Sequence, residues 1–581
     1  MIRVEPHGNQ NILEILRNDG ILMESPCNGK GLCGKCKVRI LDGKVSEVTE
    51  KEKKLLSEAD LASGIRLACL TIPTETVQID AMGLLDEKNN NVLRGGDLPD
   101  VPFAPMITVS PVTVRKPDLE NGWSLCESLE GLTENRKNMP LSLLQKLPGL
   151  MDKQQLWAVY HGEDLLDLRS NQAVYGLAVD IGTTTVAVSL VDLCTGKICA
   201  EDGFVNPQKA FGLDVLSRIH YDMEHPNGVL DLRKAIVQRI QKSAQTLAST
   251  VGTKPDTIYE IVVGGNSTML HCLIGVSMNS LGVAPYSSVF TCPVTVNASE
   301  LGMALNAQTR LYCIPSVSTY IGGDIVSGVL ASRIDKATDT VLFVDIGTNG
   351  EIVLSRKGKM YSCSCAAGPA LEGMNISCGM RAEPGAVEHV VLDEDKVTLG
   401  VIGQTVPKGL CGSGLLEAVS QAVTKGILNK AGRISGNSAF TDLDENGKRR
   451  IVLDEKHGIY LTQNDIRQVQ FCKGAILSGI LTLMEQLDLK EQEIDRVIVA
   501  GQFGKHLNPE SLTGAELIPS TLGDRISYIG NSSMVGAQLC LISGTERARA
   551  EQIACNVEYI ELSVSAGYEK RFTKCLQFGG K

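Results

Sequence analysis

Leu177-Ala-Val-Asp-Ile-Gly-Thr-Thr-Thr-Val-Ala-Val-Ser-Leu-Val191 is an apolar strand ending in an aspartate, a Gly-Thr-rich turn and a second apolar strand. Val341-Leu-Phe-Val-Asp-Ile-Gly-Thr-Asn-Gly-Glu-Ile-Val-Leu354 repeats the plan. Both place V-D-I-G-T at the same point of a strand–turn–strand unit, and internal repetition of this kind predicts two related halves. In each turn the glycine lets the backbone approach a ligand, and the N–H groups and hydroxyls can cradle phosphate oxygens. Asp180 and Asp345 stand where a carboxylate holds a magnesium ion through water. A lone D-x-G-T fits any tight β-turn. Two in register, with a third strand–glycine element at Val497–Gly504, predict nucleotide binding.

Other glycine clusters surround these turns. Gly264-Gly265-Asn266-Ser267-Thr268 and Gly409-Leu-Cys-Gly-Ser-Gly414 read as turns connecting subdomains. Gly322-Gly323-Asp324 precedes a helical stretch, so Asp324 either brings another carboxylate to the cleft or caps the helix.

The N-terminal part is organised by Cys27-Asn-Gly-Lys-Gly-Leu-Cys33-Gly-Lys-Cys36, with Cys69 further on. Thiolates at this density between glycines suit iron or zinc better than a core. Plant-type [2Fe–2S] ferredoxins use C-x4-C-x2-C and a distant fourth cysteine. The first gap here is one residue longer, as in adrenodoxin-like ferredoxins. Structural zinc and unliganded thiols are the other readings, but zinc sites usually pair two short C-x2-C units, and Cys69 has no near partner. Gly29, Gly31 and Gly34 leave room for N–H groups around the cluster sulfurs.

Taken in order, residues 1–82 read as a small α+β unit: a strand at Ile2–Val4, a helix at Asn11–Asn18 and a strand at Lys37–Leu41. A charged helical stretch at Lys51–Leu61 and a strand at Thr76–Ile79 complete it. The order resembles a β-grasp ferredoxin. Only about ten residues precede the helix, so the usual opening hairpin is shortened or the chain starts late. Residues 83–105 carry Asn, Gly, Asp and Pro without periodicity and read as a linker. Residues 106–172 read as a small α+β middle domain with strands at Thr108–Val114, Trp157–Tyr160 and Leu165–Leu168, and helices at Ser124–Leu132 and Leu141–Leu147. Residues 173–581 hold the repeated turns. The expected fold is therefore α/β and multidomain.

Composition bounds the function. The 581 residues, 43% of them hydrophobic, are those of a globular chain of several domains. No apolar run reaches the roughly 20 residues of a membrane span, and the N-terminus lacks the apolar core of a signal peptide. Eighteen cysteines without an export signal fit a reducing cytoplasm. A net charge of −11 without basic tracts argues against nucleic acid or an anionic membrane as partner.

The three strand–glycine elements together resemble the duplicated ATPase fold shared by actin, Hsp70 and sugar kinases. Asp180, Gly182, Thr183, Thr184 and Thr185 match its first phosphate loop. Asp345, Gly347, Thr348, Asn349 and Gly350 match its second, and Gly501 and Gly504 match the adenosine motif. With the N-terminal cluster domain, linker and middle domain, the whole chain resembles the ATP-dependent reductive activators of corrinoid proteins. The segment 366–386 (AAGPALEGMNISCGMRAEPGA) looks like that family's signature. The resemblance implies a [2Fe–2S] cluster on Cys27, Cys33, Cys36 and Cys69, with ATP and Mg2+ on the two turns. It also implies a corrinoid protein as partner, returned from Co(II) to Co(I), a low-potential electron donor, and room for a homodimer. Gly264, Gly265 and Asn266 join the nucleotide set. Tyr361–Gly368 is read as a loop whose Ser362 or Ser364 meets the partner. Cys363, Cys365, Cys378 and Cys411 fit no common cluster spacing and read as small core residues. The alternatives are an activator of another redox enzyme and a nucleotide-controlled redox sensor.

Overall fold

The computed structural model describes residues 1–19, 21, 23, 25, 29–82, 84, 96, 98–116, 119–120, 122–132, 139–436, 438–501 and 507–579. The chain divides into two compact units, 1–92 with 103–313, and 93–102 with 314–581. Much of the expected linker, and with it Cys27 and Gly504, lies outside the described residues.

The first unit opens with a four-stranded sheet in the order Ile2–Val4, Val77–Ala81, Lys37–Asp42, Ile65–Leu67, antiparallel throughout. One strand, pairing Ile2 with Ile79, stands where a hairpin would open a larger ferredoxin. Asn11 begins the helix Ile12–Asn18 with a reciprocal cap: its side chain accepts the Glu14 N–H at 3.0 Å, and Glu14 accepts the Asn11 N–H at 3.1 Å. The helix buries Ile12, Leu13, Ile15 and Leu16 against the sheet. The charged stretch Lys51–Leu61 is not one helix. Leu56 and Ser57 are extended, and Ser57 caps a second helix through Asp60, giving Glu50–Leu55 and Glu58–Ala62.

A second antiparallel sheet runs Leu129–Glu130, Ile107–Val114, Gln155–His161, Asp164–Arg169. The helix expected at Ser124–Leu132 is absent. Ser124 instead accepts from and donates to Glu127 in a local turn, an edge strand follows, and Gly131 (φ +92°) reverses the chain. Ser, Cys and Gly in this stretch favour such local hydrogen bonding over helix. Leu141–Lys146 is helical and tightens into a 3-10 turn at Leu147–Leu150.

The repeated motifs build two six-stranded sheets on one plan. In the first unit Tyr175–Ile181, Thr185–Asp192 and Ile198–Val205 form an antiparallel meander, while Ile258–Gly265 and then Arg310–Cys313 add parallel strands beside Tyr175–Ile181. In the second, Val341–Ile346, Gly350–Arg356 and Lys359–Cys365 form the meander. Arg496–Ala500 and Ile526–Gly530 add the parallel strands. Every residue of Ile258–Gly265 is buried, as a parallel strand covered on both faces requires. The long helix Gly228–Thr250 packs its Leu232, Ile236, Ile240 and Leu247 row into the first core; Gln463–Gln486 does the same in the second. The loop expected at Tyr361–Gly368 is, over Lys359–Cys365, the third strand of the second meander. Among the described residues no helix is long and apolar enough to cross a membrane.

Candidate functional site

At the cysteine loop Gly29, Gly31 and Gly34 all take left-handed backbone, φ +80°, +66° and +66°. A Cβ at Gly31 would also lie 2.9 Å from the Leu70 side chain. This path brings Cys36 to Cys69 with the two Sγ atoms 3.4 Å apart, both nearly sealed from solvent. The Ala68 N–H, which donates to the Cys36 carbonyl at 2.8 Å, ties the two cysteine segments together. Two thiolates on one tetrahedral ion at about 2.3 Å stand about 3.8 Å apart, so this pair fits shared ligation of an iron–sulfur cluster. Cys33 is half-exposed. Among the described residues no three His, Cys, Asp or Glu side chains gather into a closed metal cage.

The turn after Asp180, expected to take phosphate, is pinned from behind. Asn206 Nδ2 donates to the Gly182 carbonyl at 2.8 Å, the Asn206 N–H to that of Thr184 at 2.9 Å, and Arg218 Nη2 to that of Thr183 at 2.5 Å. In a trans peptide the C=O and the following N–H point opposite ways. With three successive carbonyls turned inward, the N–H groups of Thr183, Thr184 and Thr185 face outward, as a phosphate cradle needs. Gly182 is required by close approach: a Cβ there would meet the Thr185 carbonyl at 2.7 Å. Asp180 ends its strand, half-buried, with Gly264 beside it in register. Gly264 and Gly265 are therefore the end of a strand rather than a connecting turn. Asn266 caps the next helix through the Met269 N–H and donates to Thr183 Oγ1 at 3.3 Å. Neither Asn206 nor Arg218 stands out in the sequence, since both lie on later elements that only folding returns to the turn.

The second turn is built differently. Thr348 Oγ1 donates to Glu372, which belongs to the segment 366–386. Gly501 (φ +96°) sits where a Cβ would be 2.7 Å from both Asp345 Oδ1 and the Ile346 carbonyl. Gly350 is a packing residue, with Ile476 at 2.9 Å from a would-be Cβ. The signal that sequence reading missed is Glu351, directly opposite Asp345 in the ladder. Burial, and then the charges of Asp324 and Asp345, hold its carboxyl well above the usual range, while Asn349 hydrogen-bonds to it. Asp324, in the first turn of the helix Gly323–Ser332, thus joins Asp345 in one electrostatic neighbourhood. The corresponding place opposite Asp180 is Ala187, so only the second turn carries a carboxyl pair.

Compared with solved structures, the chain resembles a reductive activator for a corrinoid, iron–sulfur protein at a TM-score of 0.73 and 33% identity, over 100% of this chain and 98% of that one. The chain belongs to the reductive activators of corrinoid proteins. The activator is also 28% identical, over 98% of its own length and 96% of the relative's, to the corrinoid activation enzyme RamQ of Eubacterium limosum. It is 22% identical to a [Co(II) methylated amine-specific corrinoid protein] reductase of Methanosarcina barkeri, over 65% of this chain and 72% of that one. Family models match a 2Fe-2S iron-sulfur cluster binding domain at residues 2–74, the RACo middle region at 175–337, and the C-terminal domain of RACo, the ASKHA domain, at 339–580. An iron–sulfur domain and an ATPase domain are thereby established in one activator.

The remaining candidates in this activator fall as follows. Ser362 is fully buried in the strand Lys359–Cys365 and donates to the Glu558 carbonyl at 3.3 Å. Ser364 is half-buried opposite Glu351. Cys363 and Cys365 lie in the core, their thiols pushed up by burial. Gly412 and Gly414 pack tightly, with would-be Cβ atoms 2.0 and 2.2 Å from the carbonyls of Leu371 and Val387.

Proposed function

We propose that this chain is an ATP-dependent reductive activator that returns one electron to the cobalt of a corrinoid protein, converting inactive Co(II) to Co(I). The observation that carries the reading is the presence in one chain of a cysteine pair at shared-ligand distance and a phosphate turn with its carbonyls pinned inward. Cys27, Cys33, Cys36 and Cys69 would hold a [2Fe–2S] cluster, which when bound supplies a one-electron carrier near about −400 mV. Asp180 on the first turn, and Asp345 with Asp324 by the second, are the carboxyls that would each hold Mg2+ through water. Gly182, Thr183, Thr184, Thr185, Thr348 and Asn349 would receive the phosphates. The electron comes from a separate low-potential donor in a reducing cytoplasm.

The energetics explain why ATP is needed. A gap of 59 mV for one electron is a tenfold change in equilibrium, so a deficit of roughly 100–150 mV costs about 2–3.5 kcal/mol. Conformational coupling of about 1–3 kcal/mol is typical, close to that demand. Purified holoprotein mixed with a Co(II) corrinoid protein and a low-potential donor tests the reading. Formation of Co(I), followed by its absorption, is expected to require ATP, and ATP hydrolysis to rise with the corrinoid protein. ATP-independent reduction, or no stimulation by any corrinoid protein, would sink it.

A further inference from the structure

We infer that residues 206–224 carry nucleotide occupancy from the first phosphate turn to the cluster-bearing domain, with Arg218 as the positioning residue at one end and Arg17 and Lys30 as the seated groups at the other. The inference rests on reading residues 182–185 as a phosphate turn.

Arg218 is fully buried, and among the described residues its hydrogen bonds go to neutral acceptors, while the Asp214 carboxylate acts on its charge through space. The acceptors are the carbonyls of Thr183 (2.5 Å) and Gly212 (3.0 Å), Gln208 Oε1 (3.3 Å) and Met269 Sδ (2.9 Å). Buried charges are ordinarily paired with opposite charge. One of these acceptors is the Thr183 carbonyl of the phosphate turn, so an anion arriving on the outward side of that turn would add opposite charge across one peptide. Burial pulls the Arg218 guanidinium down to about 10, still fully charged at neutral pH.

The same segment seats the cluster domain. Asn206, which holds the Gly182 and Thr184 carbonyls, also caps the short turn Pro207–Ala210. At the end of that turn the Ala210 carbonyl accepts from Arg17 of the helix Ile12–Asn18 and from Ser25 Oγ at 2.9 Å. The Arg17 guanidinium lies 5.3 Å from the Phe211 ring centre, and Phe211 packs on Tyr221 at 5.0 Å. Arg218, Tyr221 and Glu224 follow one face of the helix Val215–Glu224 at three-residue spacing. Glu224 meets Lys30 of the cysteine loop at 2.8 Å. One short element thus touches the phosphate turn through Asn206 and Arg218, and the cluster domain through Ala210, Phe211 and Glu224. A ligand that orders the turn and Arg218 orders the Ala210 carbonyl and Phe211 ring, and a preordered seat costs less to dock. Nucleotide therefore tightens docking, and its loss frees the cluster domain to move.

Hydrogen exchange on the full-length holoprotein tests this, reading peptides within 10–19 and 206–214 with and without Mg2+ and a non-hydrolysable ATP analogue. Occupancy is measured separately with a fluorescent ATP analogue. Nucleotide is expected to slow exchange in both peptides by about fivefold, the low end of ordinary coupling. In Phe211→Ala, and in Phe211→Leu as a milder variant that keeps an apolar side chain, nucleotide should still slow 206–214 but no longer 10–19. Arg218→Gln should lose the response in both. Bound nucleotide with no change at 10–19 in the unaltered protein overturns this inference alone. So does an unaltered response at 10–19 in both Phe211 variants. Failure to bind nucleotide overturns the phosphate-turn reading together with it.

Discussion

Asp345 and Glu351 stand directly opposite each other across the antiparallel pair Val341–Ile346 and Gly350–Arg356, so their carboxyls share one face of the sheet. Burial, and then the charges of Asp324 and Asp345, raise the Glu351 carboxyl well above its ordinary range. An acid with a raised folded pKa takes up a proton on folding. Stability then falls as pH rises above the unfolded glutamate value of about 4.3. Glu351→Gln is expected to remove that downward slope, measured as urea midpoints from about pH 5 to about pH 8. Loss of a carboxyl able to exchange a proton at the site should lower the ATP hydrolysis rate about 100-fold, with nucleotide affinity little changed. A variant that hydrolyses ATP normally would show that Glu351 only fills the sheet.

Gly501 holds φ +96° with a would-be Cβ 2.7 Å from Asp345 Oδ1. Gly501→Ala combines backbone strain of about 1–3 kcal/mol with displacement of that carboxylate. Nucleotide affinity, measured by calorimetric titration, should fall about tenfold, which 1.4 kcal/mol corresponds to. Gly530→Ala, at a left-handed glycine with open space around it, should cost stability without that loss of affinity.

What the chain revealed in one dimension were features whose chemistry and geometry are local. V-D-I-G-T marks a strand end and turn, and both copies lie where that pattern requires. The helix after Asn11 and the glycines around the cysteines are equally local. The pairing of Glu351 with Asp345 depends on strand register, and Arg218 reaches Thr183 from a later helix; no periodicity announces either. The strand Ile258–Gly265 stands beside Asp180 as Arg496–Ala500 stands beside Asp345. That equivalence assigns Gly264 a place like that of Ala500, which motif matching misses because the two sequences differ. Ser124–Leu132 has the look of a helix, but the Ser124–Glu127 turn and the left-handed Gly131 decide its path.

Cys36 and Cys69 stand 3.4 Å apart between sulfurs, while Cys33 is more exposed. Cys33→Ala is expected to abolish cobalt reduction and bleach the visible iron–sulfur absorption, leaving nucleotide affinity unchanged because the phosphate turns are built from other strands. Persisting Co(I) formation in this variant would mean the electron takes another path.

Glu52 anchors the cluster domain from a stretch that sequence alone makes look like a solvated charged helix. It is fully buried and accepts from Arg66 Nε and Nη2, both at 3.0 Å, from the Leu67 N–H at 3.1 Å and from the Thr49 N–H at 3.0 Å. Burial alone would raise its pKa, but the Arg66 bonds and backbone donors outweigh it and bring the carboxyl down to about 2. A depressed carboxyl stabilises the fold above its unfolded pKa of about 4.3, and that stability is lost as pH falls through the folded value. At about 1.36 kcal/mol per pKa unit the contribution at neutral pH is on the order of 3 kcal/mol. Glu52→Gln keeps the shape but leaves the Arg66 guanidinium, itself buried, without its counter-charge. Removing one partner of a buried pair costs about 3–5 kcal/mol. At neutral pH the variant's cluster domain should therefore unfold at a clearly lower urea concentration, followed by loss of visible absorption. The gap between variant and parent should hold down to about pH 4.5 and close as pH falls towards about 2, because protonated Glu52 no longer pairs with Arg66. An equal gap at every pH would show that packing, and not the Glu52–Arg66 charge pair, is what the substitution removes.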